Sequence, residues 1–303
     1  MLLLIGSERK PCKIKDFGGG LKFYDFLLKG HEDLRQDERV MQPLSLNTTL
    51  LKKNGKTEKK ILNIITYPVI PMSKNTRLLS WVQKCDVFFQ MIIDYRQANH
   101  TQKDAELRLM RSFCPNYQTV CGAHKVEAYS FIMDSTRGED LKKMLWLRSE
   151  KRNNYVRSLA TMSMVGHILG LDDRNLSNLM MQRVSDKIVH IDFSDPSEVT
   201  MKYKDFPDRV PFRLTRMVTK TMEACGIEGN YRSTCKNVME VLRENKESLL
   251  AILESFVTDP LTTLRNDERK DEQKCLHPTH QKPLETCELL LRRFRPDPDP
   301  ART

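Results

Sequence analysis

Little in this sequence ties it to a membrane or to an oxidising compartment. Its eight cysteines include no C-x-x-C pair. Without a secretion signal they read as reduced thiols rather than as a disulfide framework. The longest weakly polar run, Ala160 to Leu171, is interrupted by Gly166 and His167 and is too short to span a bilayer. The apolar start, Met1 to Ile5, has neither a basic leader nor the length of a signal-peptide core. The expectation is a cytoplasmic chain, with the nucleus or the periphery of endomembranes as alternatives. Metal-ligand clusters are scarce too. Cys275, His277, His280 and Cys287 come nearest to a zinc spacing, but a polar tail is the plainer reading. There are no internal repeats.

Charge is what the sequence has in quantity. Of 303 residues 30% are charged and 39% hydrophobic, with 50 Lys+Arg against 40 Asp+Glu, a balance of +10. That length supports one large domain or two lobes, and the composition excludes both membrane embedding and global disorder. A basic balance invites a nucleic-acid partner. The densest lysine run, Lys52 to Lys60, contains the turn dipeptide Asn54-Gly55 and reads as a solvated hairpin or loop. No aromatic-interleaved basic face accompanies it, so no nucleic-acid partner is expected.

The texture changes along the chain. The first part reads as strands around one helix: Leu2–Ile5, Leu21–Leu28, a helix over His31–Leu51, then the β-branched run Ile61–Ile70 and the short stretch Leu78–Val82. From Asp86 helices dominate, at Asp86–Arg96, Ala105–Phe113, Lys125–Asp134, Glu139–Leu147 and a long apolar one over Asn153–Leu171. Two short strands, Asn178–Arg183 and Lys187–Phe193, flank a Ser185-Asp186 turn, and helices resume at Thr215–Cys225, Ser233–Asn245 and Lys246–Val257. The layout is a strand-rich lobe over 1–82 and a helical lobe over 83–265 that holds one hairpin. Residues 266–303 form a polar, loosely ordered tail.

The strongest chemical signal surrounds that hairpin. Asp173 and Asn178 stand five apart, and Asp192-Phe193 ends the second strand. Phosphoryl transfer needs a carboxylate to orient the attacking hydroxyl and oxygen ligands for a metal on the nucleotide phosphates. The D-x-x-x-x-N spacing of a kinase catalytic loop and a D-F pair at a strand end meet that need. A hairpin with solvent-facing acids is the competing reading. The second signal is Lys29, ending a strand before an acid-rich helix start; either Glu32 or Asp37 could hold it in place. The third is a glycine turn after a strand, at Gly6-Ser7 or at Gly18-Gly19-Gly20, which could cover phosphates with backbone N–H groups.

The stretch Lys29-Gly-His-Glu-Asp-Leu-Arg-Gln-Asp-Glu-Arg-Val-Met-Gln42 resembles the N-lobe signature of the phosphatidylinositol-3-kinase-related protein kinases, in their target-of-rapamycin branch. Ser163–Gly170, Ser177–Met180, Lys187–Phe193, Pro211–Met217, Gly229–Arg232, Val238–Arg243 and Asp259–Leu261 extend the likeness over roughly residues 1–265. The resemblance implies an α+β, bilobal protein-kinase-like fold of the PI3/PI4-kinase type, with a strand-rich N-lobe and a helical C-lobe. It implies an ATP-dependent serine/threonine protein kinase using Mg²⁺, with Mn²⁺ as an alternative, and protein substrates. By matching position, Lys29 contacts the phosphates, Asp37 (or Glu32) positions it, and Ser7 belongs to the phosphate loop. Trp81 and Val82 form the hinge, and Tyr67, Leu79, Met180 and Ile191 line the adenine pocket. Asp173 is the catalytic aspartate, and Asn178 and Asp192 are the metal ligands. Lys84 to Lys125 resembles a helical insertion that docks a WD-repeat propeller subunit.

Three positions depart from the family pattern. Asn175 replaces the histidine of G-D-R-H, Asp172 replaces its glycine, and Ser194 replaces the glycine of D-F-G. Loss of one charge-stabilising contact in a transition state costs on the order of 10²–10³ in rate. The expectation is weakened turnover with nucleotide binding retained, and the alternative is a nucleotide-binding scaffold that engages the WD-repeat partner.

Overall fold

Residues up to Ser80 build an antiparallel sheet backed by a long helix. The computed structural model describes residues 2–4, 11–18, 22–30, 35–73, 76–116, 119–145, 149–171, 173–193, 212–222, 225–257 and 294. Strands β1 (Leu2–Leu4), β2 (Cys12–Gly18), β3 (Lys22–Gly30), β4 (Val69–Ser73) and β5 (Thr76–Ser80) form a sheet of order β1-β2-β3-β5-β4, all neighbours antiparallel. Helix α1 (Arg35–Lys53) carries Asp37 and Glu38 in its first turn and Lys52 and Lys53 in its last, both matched to the helix dipole. Val40, Met41, Leu44 and Leu51 recur at helical spacing and are buried.

The run Ile61–Ile70 corrects a sequence expectation. Only its last two residues enter a strand; the rest is irregular, yet Leu62, Ile64 and Tyr67 are buried. Ile61 has a left-handed φ of 52°, and the Ile64 N–H donates to Thr48 Oγ1 at 3.2 Å instead of to a strand partner. The lysine-rich segment also differs from a hairpin. Asn54 caps the short helix α2 (Gly55–Glu58) by accepting from the Lys56 N–H at 3.0 Å, and Lys56 pairs with Glu240 at 2.8 Å. Gly18 pairs with Lys22 at the end of the β2–β3 ladder, and Gly19 and Gly20 lie outside the described residues.

After β5 helices dominate the described residues, with β6 (Cys85–Val87), β7 (Leu179–Gln182) and β8 (Ile188–His190) forming a second antiparallel sheet of order β6-β7-β8. The helices are α3 (Phe88–Ala98), α4 (Ala105–Phe113), α5 (Gly122–Ser135), α6 (Asp140–Leu145), α7 (Ser149–Leu169), α8 (Arg216–Lys220), α9 (Asn230–Glu244) and α10 (Lys246–Val257). No described helix is long and apolar enough to cross a membrane.

Helix α7 joins two cores. Tyr155, Val156, Leu159 and Ala160 pack with Phe88, Leu141, Leu179 and Val218. Val165, Ile168 and Leu169 pack with Leu44, Leu79, Val238 and Leu242, so this second cluster draws residues from both sides of Trp81-Val82. Phe294, from the segment read as a polar tail, is buried in that cluster, and its carbonyl accepts from Arg243 Nε at 3.1 Å. The Ile188 N–H donates to Ser158 Oγ at 3.0 Å and ties the β7–β8 hairpin to α7. The Cys275–Cys287 cluster lies outside the described residues; among those described, no group of three or more His, Cys, Asp or Glu is placed to hold a metal.

Candidate active site

Strands β3 and β5 set Lys29 directly opposite Arg77. Opposed residues of an antiparallel pair point to one face, and two like charges there repel. Two carboxylates resolve the repulsion. Lys29 Nζ meets Asp192 Oδ1 at 2.6 Å, while Arg77 meets Asp37 Oδ2 at 2.8 Å and approaches Asp192 Oδ1 at 3.8 Å. Asp37 Oδ1 also accepts the Phe193 N–H at 3.2 Å. Sequence position pairs Asp37 with Lys29; the direct partner of Asp37 is Arg77, and Lys29 reaches it only as a through-space charge. Ser7 and Glu32 lie outside the described residues.

These four charges differ in exposure. Asp37 and Arg77 side chains are 0% and 2% exposed, whereas Lys29 is 18% and Asp192 46% exposed. Burial raises the Asp37 carboxyl above its ordinary value, more than Arg77 and Lys29 lower it. At Asp192 burial acts upward as well, but Lys29, Arg77 and Arg174 outweigh it and hold the carboxyl below its ordinary value. Asp192 therefore stands ionised at neutral pH.

The loop after α7 brings the second group of residues. Asp173 and Asp192 both adopt left-handed backbone, with φ of 53° and 55°. Aspartate tolerates that region better than most residues, and such conformations gather at functional sites. Asn175 Nδ2 donates to Asp173 Oδ1 at 2.7 Å, and Asn178 Nδ2 donates to Asp173 Oδ2 at 3.0 Å. Asn175 Oδ1 in turn accepts the backbone N–H of Ser177 at 2.8 Å and of Asn178 at 3.1 Å, which closes the turn. Buried Arg174 staples this loop to the end of β8, donating to the carbonyls of Ile191 at 3.1 Å and Asp192 at 2.5 Å. The Ile191 N–H donates to the Asn178 carbonyl at 3.1 Å, so the hairpin mouth sets Asn178 beside Asp192. Asp172 and Ser194 lie outside the described residues.

The remaining candidates occupy two layers. The Trp81 N–H donates to the Asp25 carbonyl at 2.9 Å, and Lys13 Nζ rests 4.1 Å from the centre of the Trp81 ring. Val82 and Ile191 are partly buried against the large core, and Met180 lies on β7 with intermediate exposure. Leu79 and Tyr67 are deeper, inside the core. Burial raises the Tyr67 hydroxyl strongly, and Asp37 and Asp192 add to it. His190 is buried, and neither ring nitrogen has a hydrogen-bond partner among the described residues. Burial, then Arg174, pushes its pKa down to about 3.

Arg77, Arg174 and Lys13 carry this arrangement and were not singled out by sequence. Arg77 stands far from Lys29 along the chain, and only the β3–β5 register reveals their pairing. Arg174 follows the catalytic-type aspartate directly, and that adjacency was the one available signal.

The donor set fits a nucleotide and a hard divalent cation. Asn178 has its amide nitrogen committed to Asp173, which turns its carbonyl oxygen elsewhere, and Asp192 is an exposed carboxylate. Two protein oxygens suit Mg²⁺, which takes one or two protein ligands and completes its shell with phosphate and water. Lys29 is the partly exposed cation beside Asp192.

Comparison with known proteins bears on family and fold. The family described as phosphatidylinositol 3- and 4-kinase matches residues 23–266. The serine/threonine-protein kinase TOR of Arabidopsis thaliana is 51% identical over 271 residues, covering 87% of this chain and 11% of the relative. Serine/threonine-protein kinase TOR2 of Saccharomyces cerevisiae is 46% identical over 265 residues, covering 85% and 11%. This chain thus spans about a ninth of the length of those curated relatives. The solved FAT and kinase domain of CtTel1 superposes with a TM-score of 0.76 at 23% identity, covering 98% of this chain and 21% of that one, a likeness of fold. With the sheet, hairpin and charge cluster in place, the match over residues 23–266 settles kinship: the chain belongs to the phosphatidylinositol 3- and 4-kinase family.

Proposed function

We propose that this chain is a target-of-rapamycin-like serine/threonine protein kinase catalytic unit that transfers the γ-phosphoryl group of ATP to a protein hydroxyl. One observation carries the reading. Lys29, Asp173, Asn178 and Asp192 come from β3, the loop after α7 and the two ends of the hairpin; Lys29 pairs with Asp192 and Asn178 with Asp173, and hydrogen bonds of Arg174 and Ile191 join the two pairs.

In this reading Asp173 orients the substrate hydroxyl and accepts its proton as oxygen attacks phosphorus and the bond to the leaving ADP breaks. Lys29 gives up Asp192 for the phosphates, a move that its partial exposure permits. Asn178 and Asp192 are the residues that would hold Mg²⁺, or Mn²⁺, and the ion would neutralise charge on the phosphates. Asn175 faces Asp173 and donates to it. A neutral amide there cannot supply a positive charge, which supports slow turnover with binding retained.

The insertion offers a surface for a WD-repeat propeller. Leu107 on α4 and Val126, Tyr129 and Phe131 on α5 are exposed, and Phe131 stacks on Phe113 with ring centres 4.8 Å apart. Tyr129→Glu is expected to abolish co-purification of such a subunit and leave nucleotide binding unchanged.

The test of the kinase reading is labelled phosphoryl transfer from ATP to a serine peptide in single turnover. Asp173→Asn should lower the rate by about 10²–10⁴ with ATP affinity unchanged. ATP binding without transfer above that control would favour the scaffold alternative, and no ATP binding at all would remove both.

A further inference from the structure

We infer that Arg77 is a positioning residue for the metal-ligating Asp192, acting through a buried ion pair with Asp37. The inference rests on the nucleotide-binding reading of the cleft. It starts from a register: Arg77 faces Lys29 across β3 and β5. Both side chains point into the same face, yet they take different partners. Lys29 sits on Asp192 at 2.6 Å, and Arg77 sits on Asp37 at 2.8 Å.

The Arg77–Asp37 pair is closed to solvent, so each charge there depends on the other. Held by Arg77 at 2.8 Å, the Asp37 carboxylate accepts the Phe193 N–H at 3.2 Å through its other oxygen. That bond fixes the peptide between Asp192 and Phe193, next to a backbone that already holds Asp192 at φ 55°. Arg77 also lies 3.8 Å from Asp192 Oδ1, the oxygen that Lys29 occupies. When Lys29 turns to phosphates, Arg77 remains as the standing counter-charge on that oxygen.

Two opposing effects meet at Asp192. A nearby guanidinium repels a divalent cation, and a positioned carboxylate attracts it. Asp192 is nearly half exposed, so water screens the repulsion, while the Arg77–Asp37–Phe193 chain is dry and unscreened. Positioning is the larger effect.

The experiment uses this chain and a fluorescent, non-hydrolysable ATP analogue, with binding followed in EDTA and along a Mg²⁺ titration. In Arg77→Gln the Mg²⁺ concentration at half-saturation should rise about tenfold, the lower range for partners that orient metal ligands. Affinity for the metal-free analogue should change by less than about twofold, because Arg77 is buried on Asp37. Arg77→Lys keeps a charge but not the fork, and its midpoint should fall between the two; this variant decides the matter if Arg77→Gln does not fold. Hydrogen exchange at the Phe193 amide should quicken in step with the midpoint. A midpoint that stays put, or falls, in folded variants overturns the inference, as does an equal loss with and without Mg²⁺. If wild-type protein binds no analogue, the kinase reading fails instead.

Discussion

Two buried arginines organise this molecule, and they do so differently. Arg96 on α3 is satisfied on every side. Its guanidinium donates to Asp140 at 2.9 and 2.8 Å, to Glu106 at 2.9 and 2.7 Å and to the Lys103 carbonyl at 2.7 Å. Arg216, at the start of α8, extends the cluster to the carbonyls of Met133 and Thr136 at 2.8 and 2.6 Å, and it packs where a side chain at Gly138 would collide. Although burial acts to raise Glu106, Arg96 holds its carboxyl below the ordinary value. In the cleft, by contrast, Arg77 leans toward a carboxylate that is nearly half open to water, and its own partner Asp37 is held above the ordinary value by burial. The first network is locked and fastens α3 and α4 to α6 and α8. The second pairs a buried Arg77–Asp37 with a partly exposed Lys29–Asp192, so only its outer half is open to rearrangement.

The contrast can be broken most severely at Arg96. Arg96→Met leaves Glu106 and Asp140 without their common partner; both are partly exposed, so a loss of about 2–4 kcal/mol is expected in urea unfolding. ATP affinity of the folded fraction should not move. If it falls, the insertion is coupled to the cleft and the two networks are one.

His190 sharpens the comparison on the cleft side. Its folded pKa of about 3 lies below the ordinary 6.5, so the unfolded chain takes up a proton first as pH falls. The stability this neutral ring contributes is present above about pH 6.5 and is lost on the way down to about 3. Between pH 6.5 and 5 the expected loss is about 2 kcal/mol. Unfolding midpoints measured at both pH values should separate in wild-type protein and converge in His190→Leu.

A site outside both networks gives the smallest effect. Asn54→Ala removes the cap of α2 and should cost about 1 kcal/mol, with neither ATP affinity nor the acid sensitivity altered. A shift in Mg²⁺ dependence there would show that the cleft responds to any loss of stability.

What was legible in the sequence depended on how local the cause is. Helices α4 and α10 begin and end where their periodicity does, because amphipathic spacing is a local property. The hairpin was visible because short apolar runs flank a turn. Asp173, Asn178 and Asp192 stand out by spacing, and the hairpin brings their segments together. Strand β2 was missed because Lys13, Lys15 and Asp16 hide its pattern, and β6 because three residues are too few to show one. The run Ile61–Ile70 has strand composition, yet Pro68 and the side chain of Thr48 divert its backbone bonds. The partner of Asp37 was illegible, since Arg77 acquires meaning only when β5 pairs with β3.

The most direct test of the account is a Mn²⁺ titration by electron paramagnetic resonance with a non-hydrolysable ATP analogue bound. The account predicts that wild-type protein immobilises Mn²⁺ only when the analogue is present, and that Asp192→Asn weakens this by at least about tenfold while the analogue still binds in EDTA. Unchanged Mn²⁺ binding in Asp192→Asn, with the protein folded and the analogue bound, would contradict it.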